Sequence, residues 1–384
     1  MSEKYFEKLL EWHRNGQISR RALLGGAGSF ALAAGVMGGP FAGLTKMAKA
    51  ADMPESIRYD GWGGTVQEAQ RKLAFDPFEE QTGIKVIEGN FTGGDAFLTQ
   101  VKASQPGEYN VFSASGVFDY ARYADLGYAV ELNEDNIPNM KLVMPALMTS
   151  FREITNGSLS CAPYDYGATG IAYNRKHISD DEAKEKGAML LLDSKFKGKI
   201  GCWNDWRTRA WYGALHTGQD PNDIQDTDAM WDALREHREL LLKYWSSGAE
   251  LMSLLAEEEI YVTEGWSGRI ATLQQQGHDI GYIYPEKGFA WQECKMVLKG
   301  SPMEAVELLL NFLLEPEVAI AVAEGQNYPP SLDPTQVDVG DKVASLPMFD
   351  PTGKLEGMTF AVPDYWNSRQ ADWSKQFSRI EKGF

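Results

Sequence analysis

The sequence is poor in cysteine, histidine and basic residues, and each shortage excludes a class of protein. Three cysteines in 384 residues are too few for a disulfide scaffold or a multi-cysteine metal site. The five histidines show no zinc-ligand spacing, and catalytic signatures such as Gly-x-Ser-x-Gly or Cys-x-x-Cys are absent. Lys plus Arg number 37 against 54 for Asp plus Glu, a net charge of −17. With no basic run to neutralise phosphates, we expect no nucleic-acid partner.

The first fifty residues are typical of an export signal. Arg20-Arg21 is followed at once by Ala-Leu-Leu-Gly, the pattern of a twin-arginine signal, and no charged residue occurs over 22–45. A transmembrane anchor is the alternative, because such a stretch could span a bilayer. The many glycines and the Ala48-Lys49-Ala50 sequence favour cleavage near Ala50. The sequence therefore predicts an exported, periplasmic protein that engages the twin-arginine export machinery.

The rest of the chain alternates short apolar segments with helical periodicity. We predict strands over 57–59, 84–87, 109–112, 171–173, 200–203, 260–262 and 280–284. Apolar residues at three- and four-residue steps predict helices over 66–81, 227–243 and 302–314. This alternation predicts an α/β fold with mixed or mostly parallel sheets flanked by helices. The length of the chain, about twice that of a usual domain, predicts two lobes.

Several segments, taken in order, resemble the periplasmic solute-binding proteins of ABC importers, in particular the spermidine/putrescine-binding branch. The segments are Phe78–Val86 (FEEQTGIKV), Ala162–Asn174 (APYDYGATGIAYN), Phe196–Ile200 (FKGKI), Tyr284–Gly288 (YPEKG), Asn311–Ala319 (NFLLEPEVA) and Gln326–Pro329 (QNYP). Each match is weak alone, but their number and order make the resemblance fairly specific.

The resemblance implies a two-lobed binding protein with a hinge. Residues 52–163 plus 267–312 would form lobe one, and residues 164–266 plus 313–384 would form lobe two. One small molecule would bind in the cleft and close the lobes around it, since hinge closure is a known switching mode. An ABC permease in the inner membrane would then recognise the closed form. No enzymatic activity, catalytic residue, metal or cofactor is implied.

The resemblance also suggests which residues bind the ligand. Tryptophans are the first group, because aromatic faces attract cations: Trp62, Trp206, Trp266 and Trp291 match cleft positions, with Trp245 as a weaker fifth. Asp205 matches an acidic residue that contacts an amine, and Ser115 and Tyr166 could donate hydrogen bonds. Each has a structural alternative. A tryptophan can pack in the core, Asp205 can cap a helix, and Ser115 and Tyr166 can bond locally to backbone.

Two positions depart from the polyamine-binding pattern. Thr208 stands where those proteins carry a second acid, and Arg269 replaces an acid after the Trp-x-Gly unit. A guanidinium suits a carboxylate or sulfonate and would repel a diamine, unless Arg269 is paired with a protein carboxylate. The sequence therefore favours a zwitterionic ligand such as a betaine, an amino-acid-like compound or an amino-sulfonate. A polyamine of the putrescine or spermidine type is the alternative.

Two other functions are alternatives to solute binding. An exported enzyme is the main rival, because twin-arginine export often carries folded enzymes. Paired carboxylates exist, as in the acidic run at 257–259, but such a run is typical of a solvated surface. A ferric-ion binder would require clustered tyrosines with carboxylates, and Tyr59, Tyr164 and Tyr166 do not form a convincing set. The three cysteines leave one disulfide open, with no pairing indicated.

Overall fold

The computed structural model of the protein describes residues 53–91 and 93–384. The predicted export signal and its cleavage near Ala50 lie outside these residues. Across the described ranges, none of the helices is both long enough and apolar enough to cross a membrane. Cys161, Cys202 and Cys294 are buried free thiols.

The strands, in chain order, are β1 (Ser56–Gly61), β2 (Lys85–Asn90), β3 (Val111–Ala114), β4 (Cys161–Asn174), β5 (Ile200–Trp203), β6 (Leu241–Trp245), β7 (Val262–Trp266), β8 (Ile280–Ile283), β9 (Phe289–Val297) and β10 (Thr359–Phe360).

The helices are α1 (Gly64–Gln70), α2 (Asp76–Thr82), α3 (Gly94–Ala103), α4 (Gly116–Asp125), α5 (Pro145–Ile154), α6 (Asp180–Lys186), α7 (Trp206–His216), α8 (Thr227–Arg238), α9 (Gly248–Ala256), α10 (Ser267–Gln275), α11 (Met303–Leu313), α12 (Pro316–Gln326), α13 (Gly340–Ala344), α14 (Pro363–Asn367) and α15 (Gln370–Glu381). A π-helical turn, Arg71–Phe75, joins α1 to α2, and short 3₁₀ turns occupy Glu134–Asn136, Pro138–Leu142, Gly187–Leu192 and Ser194–Phe196.

The chain divides into two compact units. Unit 1 contains the residues up to Tyr164, Glu293–Gln326 and Pro330–Val339, and unit 2 contains Asp165–Gln292, Asn327–Pro329 and Gly340–Phe384. The chain therefore leaves unit 1 within β4 and returns to it within β9. This return at Glu293 falls later along the chain than the expected second crossing at Ser267, because α10 and β8 belong to unit 2.

Unit 1 is built on a sheet in the order β2-β1-β3-β9. β1 runs parallel to β2 and to β3, and β9 runs antiparallel to β3. Aromatic side chains join the sheet and the helices of this unit. Tyr59 of β1 contacts Phe75 with ring centroids 4.7 Å apart, and Phe78 of α2 contacts Phe312 of α11, a helix-to-helix contact, at 5.6 Å. Gly83 ends α2 in the left-handed region, at φ 78°, where glycine carries no Cβ penalty.

Unit 2 is built on a sheet in the order β6-β5-β7-β4, with β8 also paired to β4. β5 runs parallel to both β6 and β7, whereas β4 runs antiparallel to β7 and β8. One apolar cluster on this sheet includes Leu190, Ile200 and Tyr212, and another includes Trp245, Leu254 and Ile270. The mixed α/β fold predicted from the sequence is confirmed.

Several predicted elements differ from the structure, and the strand expected over 260–262 is observed as Val262–Trp266. The helix expected over 227–243 ends at Arg238, and Leu241–Trp245 is strand β6, paired in parallel with β5. The strand expected over 171–173 is the last part of β4, whose residues Cys161–Asn174 are all buried. In the last two cases tertiary pairing extends a strand into residues whose local pattern did not require one.

Candidate functional site

Three neighbouring parallel strands of unit 2 each end in a tryptophan. Trp245 is the last residue of β6, Trp203 of β5 and Trp266 of β7, and Trp203 is paired in register with Trp245. The carboxyl ends of parallel strands meet at one edge of a sheet, which is the usual place for ligands in open α/β folds. We call this group of Trp203, Trp245 and Trp266 the tryptophan edge.

The three rings of the tryptophan edge are in mutual contact. Trp203 stacks on Trp245, with centroids 5.9 Å apart and an interplanar angle of 11°. Trp266 meets both rings edge-on, at 4.8 Å from Trp203 and 5.2 Å from Trp245. Such offset and edge-to-face pairs stabilise one another, so the three rings form a fixed group.

The rings differ in accessibility. Trp245 is completely buried, and its Nε1 donates to Thr263 Oγ1 at 3.0 Å. Trp203 and Trp266 are half-buried. Trp245 is therefore the buried ring on which the other two pack, and Trp203 and Trp266 are the rings that a ligand could contact.

Asp205 is the N-cap of α7. Its Oδ1 accepts hydrogen bonds from the backbone N–H of Thr208 at 2.8 Å and from the Thr208 hydroxyl at 3.0 Å. The structure thus shows the capping role that the sequence offered as the alternative to ligand contact. Because both bonds from Thr208 use Oδ1, Oδ2 is the oxygen of Asp205 that remains for a ligand amine.

Arg269 lies on α10, one turn after Trp266, and its side chain passes over Gly248 at the start of α9. A Cβ at Gly248 would lie 2.6 Å from Arg269 Nε and 3.2 Å from Trp266 Cζ3. A side chain at this position would therefore displace the Arg269 side chain from its observed place. The Arg269 side chain and the indole of Trp266 therefore both lie against Gly248. Arg269 is 8% exposed.

Tyr166 and Gly167, which Trp291 contacts, lie where β4 extends beyond Trp266. Because β4 runs antiparallel to β7 and Thr169 pairs with Trp266, residues 165–168 extend past the tryptophan edge. The Tyr166 hydroxyl accepts from the backbone N–H of Asp350 at 3.1 Å, and burial raises its pKa. Trp291 lies over Gly167, where a Cβ would be 2.7 Å from the indole, and contacts Tyr328 edge-on at 5.0 Å.

Trp206 packs elsewhere. Its ring contacts Trp366 of α14 with centroids 6.2 Å apart, and Trp366 also stacks on Trp211 at 5.5 Å. Arg207 lies 4.8 Å above the Trp206 ring. This second aromatic cluster joins α7 to the C-terminal helices, which is the core-packing alternative considered for tryptophan.

The predicted residues of unit 1 lie at the carboxyl ends of β1 and β3. Trp62 follows β1 and contacts Phe91 edge-on at 4.8 Å. Ser115 follows β3, and its backbone N–H donates to Asp119 Oδ2 at 3.0 Å. Since β1 and β3 are parallel neighbours, Trp62 and Ser115 occupy the same edge of the unit 1 sheet.

A polar cluster that the sequence did not suggest lies behind this edge. Lys295 of β9 is completely buried, and its Nζ donates to Ser113 Oγ at 2.6 Å and to the Tyr59 hydroxyl at 3.1 Å. Glu293 lies 3.9 Å from the same ammonium. Burial raises the pKa of Tyr59, which keeps it a neutral hydroxyl beside this cation.

Sequence reasoning also missed Trp203. The sequence predicts Trp203 only as the last residue of a strand, and the adjacency of β5 with β6 and β7 brings it into contact with Trp245 and Trp266. The repeated pattern of a strand that ends in tryptophan was the signal available.

Within residues 53–91 and 93–384, no group of three or more His, Cys, Asp or Glu side chains could hold a metal ion. The tryptophan edge, with Asp205 and Arg269 close to it in the chain, is suited to binding a charged small molecule that can pack against aromatic rings.

Comparison with known proteins agrees with this interpretation. The family described as bacterial extracellular solute-binding protein matches residues 74–348. A putrescine/agmatine-binding protein of Pseudomonas aeruginosa is 23% identical over 273 residues, which cover 66% of this chain and 72% of that protein. A gamma-aminobutyric acid-binding protein of the same organism is 21% identical over 344 residues, covering 88% and 94%.

A solved structure shares the fold. The spermidine/putrescine ABC transporter substrate-binding protein from Streptococcus pneumoniae superposes with a TM-score of 0.68 at 18% identity, and the match covers 85% of this chain and 100% of that one.

Proposed function

Because the chain belongs to the bacterial extracellular solute-binding proteins, we propose that it captures a small molecule carrying both an amine and an acid group, and delivers it to an ABC permease. The family is one of solute-binding proteins and not of enzymes. The observation that carries the proposal is the tryptophan edge, where Trp266 lies beside the Arg269 side chain over Gly248. Aromatic faces and a guanidinium side chain are thus placed on one surface.

The aromatic rings suit the cationic end of such a ligand. A cation over a tryptophan face is attracted by the ring quadrupole, with a contribution of about 0.5–2 kcal/mol that grows as water is excluded. Trp203 and Trp266 are half-buried, and Trp245 holds them in position through ring contacts at 5.9 and 5.2 Å. Asp205 Oδ2 would accept from the amine.

The charges suit an acid at the other end. Polyamine binders of the resembling branch have an acid at the position of Thr208, but here this residue is completely buried and its hydroxyl is bonded to Asp205. Arg269 replaces a further acid. A guanidinium can hold a carboxylate or sulfonate through two parallel hydrogen bonds, whereas a second ligand amine would face a like charge.

The relatives divide between the two ligand classes under consideration. The putrescine/agmatine-binding protein supports the polyamine alternative. The gamma-aminobutyric acid-binding protein, whose named ligand has an amine at one end and a carboxylate at the other, aligns over a larger share of this chain. This larger share and Arg269 both favour the zwitterion, whether a betaine, an amino-acid-like compound or an amino-sulfonate.

The proposal includes the cellular setting expected from the sequence. The protein is exported by the twin-arginine machinery, loses its signal near Ala50 and acts in the periplasm with a permease of the inner membrane. Ligand binding closes the two lobes. Trp62, Ser115, Tyr166 and Trp291 complete the proposed set of ligand-binding residues, whereas the packing of Trp206 against Trp366 favours a structural role for that ring.

Thermal unfolding with a panel of compounds tests the proposal, because a ligand that binds only the folded state raises Tm. The panel contains 4-aminobutyrate, glycine betaine, taurine, putrescine and spermidine. We expect a zwitterion to raise Tm, and Trp266→Ala to weaken its binding by about 1–2 kcal/mol, roughly 5- to 30-fold. Trp231→Phe is the matched control, because Trp231 lies on α8 and packs on Trp373. No Tm response to any compound, or equal weakening by both variants, would contradict the proposal.

A further inference from the structure

A buried ion pair lies directly behind the tryptophan edge. Arg209 of α7 and Glu264 of β7 are both 0% exposed, and Arg209 Nη2 lies 2.5 Å from Glu264 Oε1. Among the residues that the structure describes, Arg209 Nε, Nη1 and Nη2 and Glu264 Oε2 are buried without a hydrogen-bond partner, and the Cys202 thiol is a polar side chain that lies beside both residues. Neither residue was singled out by the sequence.

Stability alone does not account for this pair. Removing two charges from water is costly, and the attraction between them compensates only when the remaining donors and acceptors are also bonded. Here four atoms of the pair lack a hydrogen-bond partner, and the neighbouring thiol is only a weak donor and acceptor. Replacing such a pair with apolar residues of similar volume is often neutral or stabilising, so the pair should be explained by what else it holds.

Glu264 holds the backbone of Trp203. The same carboxylate oxygen that contacts Arg209, Oε1, accepts a hydrogen bond from the Trp203 backbone N–H. Glu264 stands two residues before Trp266 on β7, so one side chain links the ends of β5 and β7. A charged acceptor makes this bond stronger than a neutral one.

The rest of the turn is fixed by backbone bonds. Asn204 N–H donates to the Trp245 carbonyl at 2.9 Å, and Asp205 N–H donates to the Trp203 carbonyl at 2.9 Å. Arg209 N–H in turn donates to the Asp205 carbonyl at 3.0 Å. The Arg209–Glu264 pair therefore connects the three elements that carry Trp203, Asp205 and Trp266.

We propose that Arg209 and Glu264 are positioning residues, which fix Trp203 and the Asp205 turn against Trp266 so that the tryptophan edge is preformed before ligand arrives. Arg209 holds the Glu264 carboxylate in place, and Glu264 holds the Trp203 amide. The part of this inference that concerns ligand affinity rests on the proposed function. Preorganisation of this kind raises affinity by lowering the ordering cost of binding.

Two double variants isolate the role of the acceptor. Arg209→Met with Glu264→Gln removes both charges and keeps a carbonyl oxygen for the Trp203 amide. Arg209→Met with Glu264→Met removes both charges and the acceptor. Leu190→Ala, in the apolar cluster of unit 2, controls for lost stability alone.

Hydrogen exchange of the ligand-free proteins is the first measurement. In the parent we expect the Trp203 amide to exchange only on global unfolding. We call Arg209→Met with Glu264→Met the Met pair and Arg209→Met with Glu264→Gln the Gln pair. The Trp203 amide should exchange at least tenfold faster in the Met pair than in the Gln pair. Calorimetric titration with 4-aminobutyrate and with putrescine is the second, and we expect the Met pair to bind the preferred compound at least tenfold more weakly than the Gln pair. Leu190→Ala should lower Tm and leave this affinity unchanged.

The outcomes separate this inference from the proposed function. Rapid exchange of the Trp203 amide in the parent would overturn the inference even if the Met pair did not fold. Equal exchange in the two double variants, or faster exchange with equal affinity, would also overturn it. If neither compound binds the parent, the proposed function loses its support, and the exchange comparison still decides whether the pair fixes Trp203.

Discussion

Substitution of Gly248 by alanine should weaken ligand binding and leave the protein folded. The new Cβ would lie 2.6 Å from Arg269 Nε, 3.2 Å from Trp266 Cζ3 and 3.4 Å from Arg269 Cδ. The first contact is closer than non-bonded atoms allow, so the Arg269 side chain must move by roughly 1 Å or the indole must tilt.

Stability and affinity change for different reasons. Alanine in place of glycine favours a helix by roughly 0.5–1 kcal/mol, and overpacking costs about 1–3 kcal/mol, so the fold should lose at most about 2.5 kcal/mol. Displacing Arg269 from a ligand acid group should remove a charged hydrogen bond that contributes about 1.5–3 kcal/mol. Affinity should therefore fall roughly 10- to 100-fold.

Isothermal titration with the ligand selected from the thermal panel measures the affinity, and urea unfolding measures the stability. Gly213→Ala is the matched control, because its Cβ would lie 2.9 Å from Met230 Cγ on α8, so it overpacks a helix contact of unit 2. This control should lose stability and keep its affinity. If Gly248→Ala binds ligand as tightly as the parent, the placement of Arg269 at the ligand site is refuted.

Two further predictions concern pH and export. Burial, together with the Arg209 cation, lowers the pKa of His216 to about 3. Below pH 6.5 this histidine is therefore protonated in the unfolded chain but stays neutral in the folded protein. Burial also lowers the pKa of His237, whose ring lies 5.2 Å from that of His216, so both histidines contribute in this pH range. The contribution of His216 to the free energy of unfolding should fall by about 2 kcal/mol between pH 7 and pH 5; His216→Gln should remove this part of the slope, and an unchanged slope would contradict the assignment. Replacing Arg20 and Arg21 with lysine should leave unprocessed protein in the cytoplasm, and normal levels of mature periplasmic protein in a fractionation blot would show that export does not depend on the pair.

The fold class could be predicted from the sequence because the strand and helix periodicities are strong where single elements are concerned. The helix expected over 302–314 is observed as Met303–Leu313, and the strand expected over 200–203 is observed as Ile200–Trp203. The end of α8 could not be predicted. Residues 241–245 continue an apolar pattern that suits either structure, and pairing with β5 decides in favour of a strand.

The candidate site was only partly readable for a similar reason. Loop placement and family position predict Trp245 and Trp266 as ligand-binding residues. Their contact with Trp203 depends on the order of strands β6-β5-β7, which no local pattern encodes. The capping role of Asp205 was predictable, because Asp before a helix start commonly accepts from the third residue of the helix. The burial of Arg209 and Glu264 was not, since charged residues are usually exposed.

The charge of the preferred ligand tests the central claim most directly. Calorimetric titration of the parent protein with 4-aminobutyrate, glycine betaine, putrescine and spermidine should show micromolar or tighter binding of a zwitterion and at least tenfold weaker binding of both polyamines. Arg269→Glu should reverse this order, because it replaces the anchor for the acid group with one for an amine. Micromolar or tighter binding of putrescine by the parent, with no response to the zwitterions, would contradict the account and make the protein a polyamine binder.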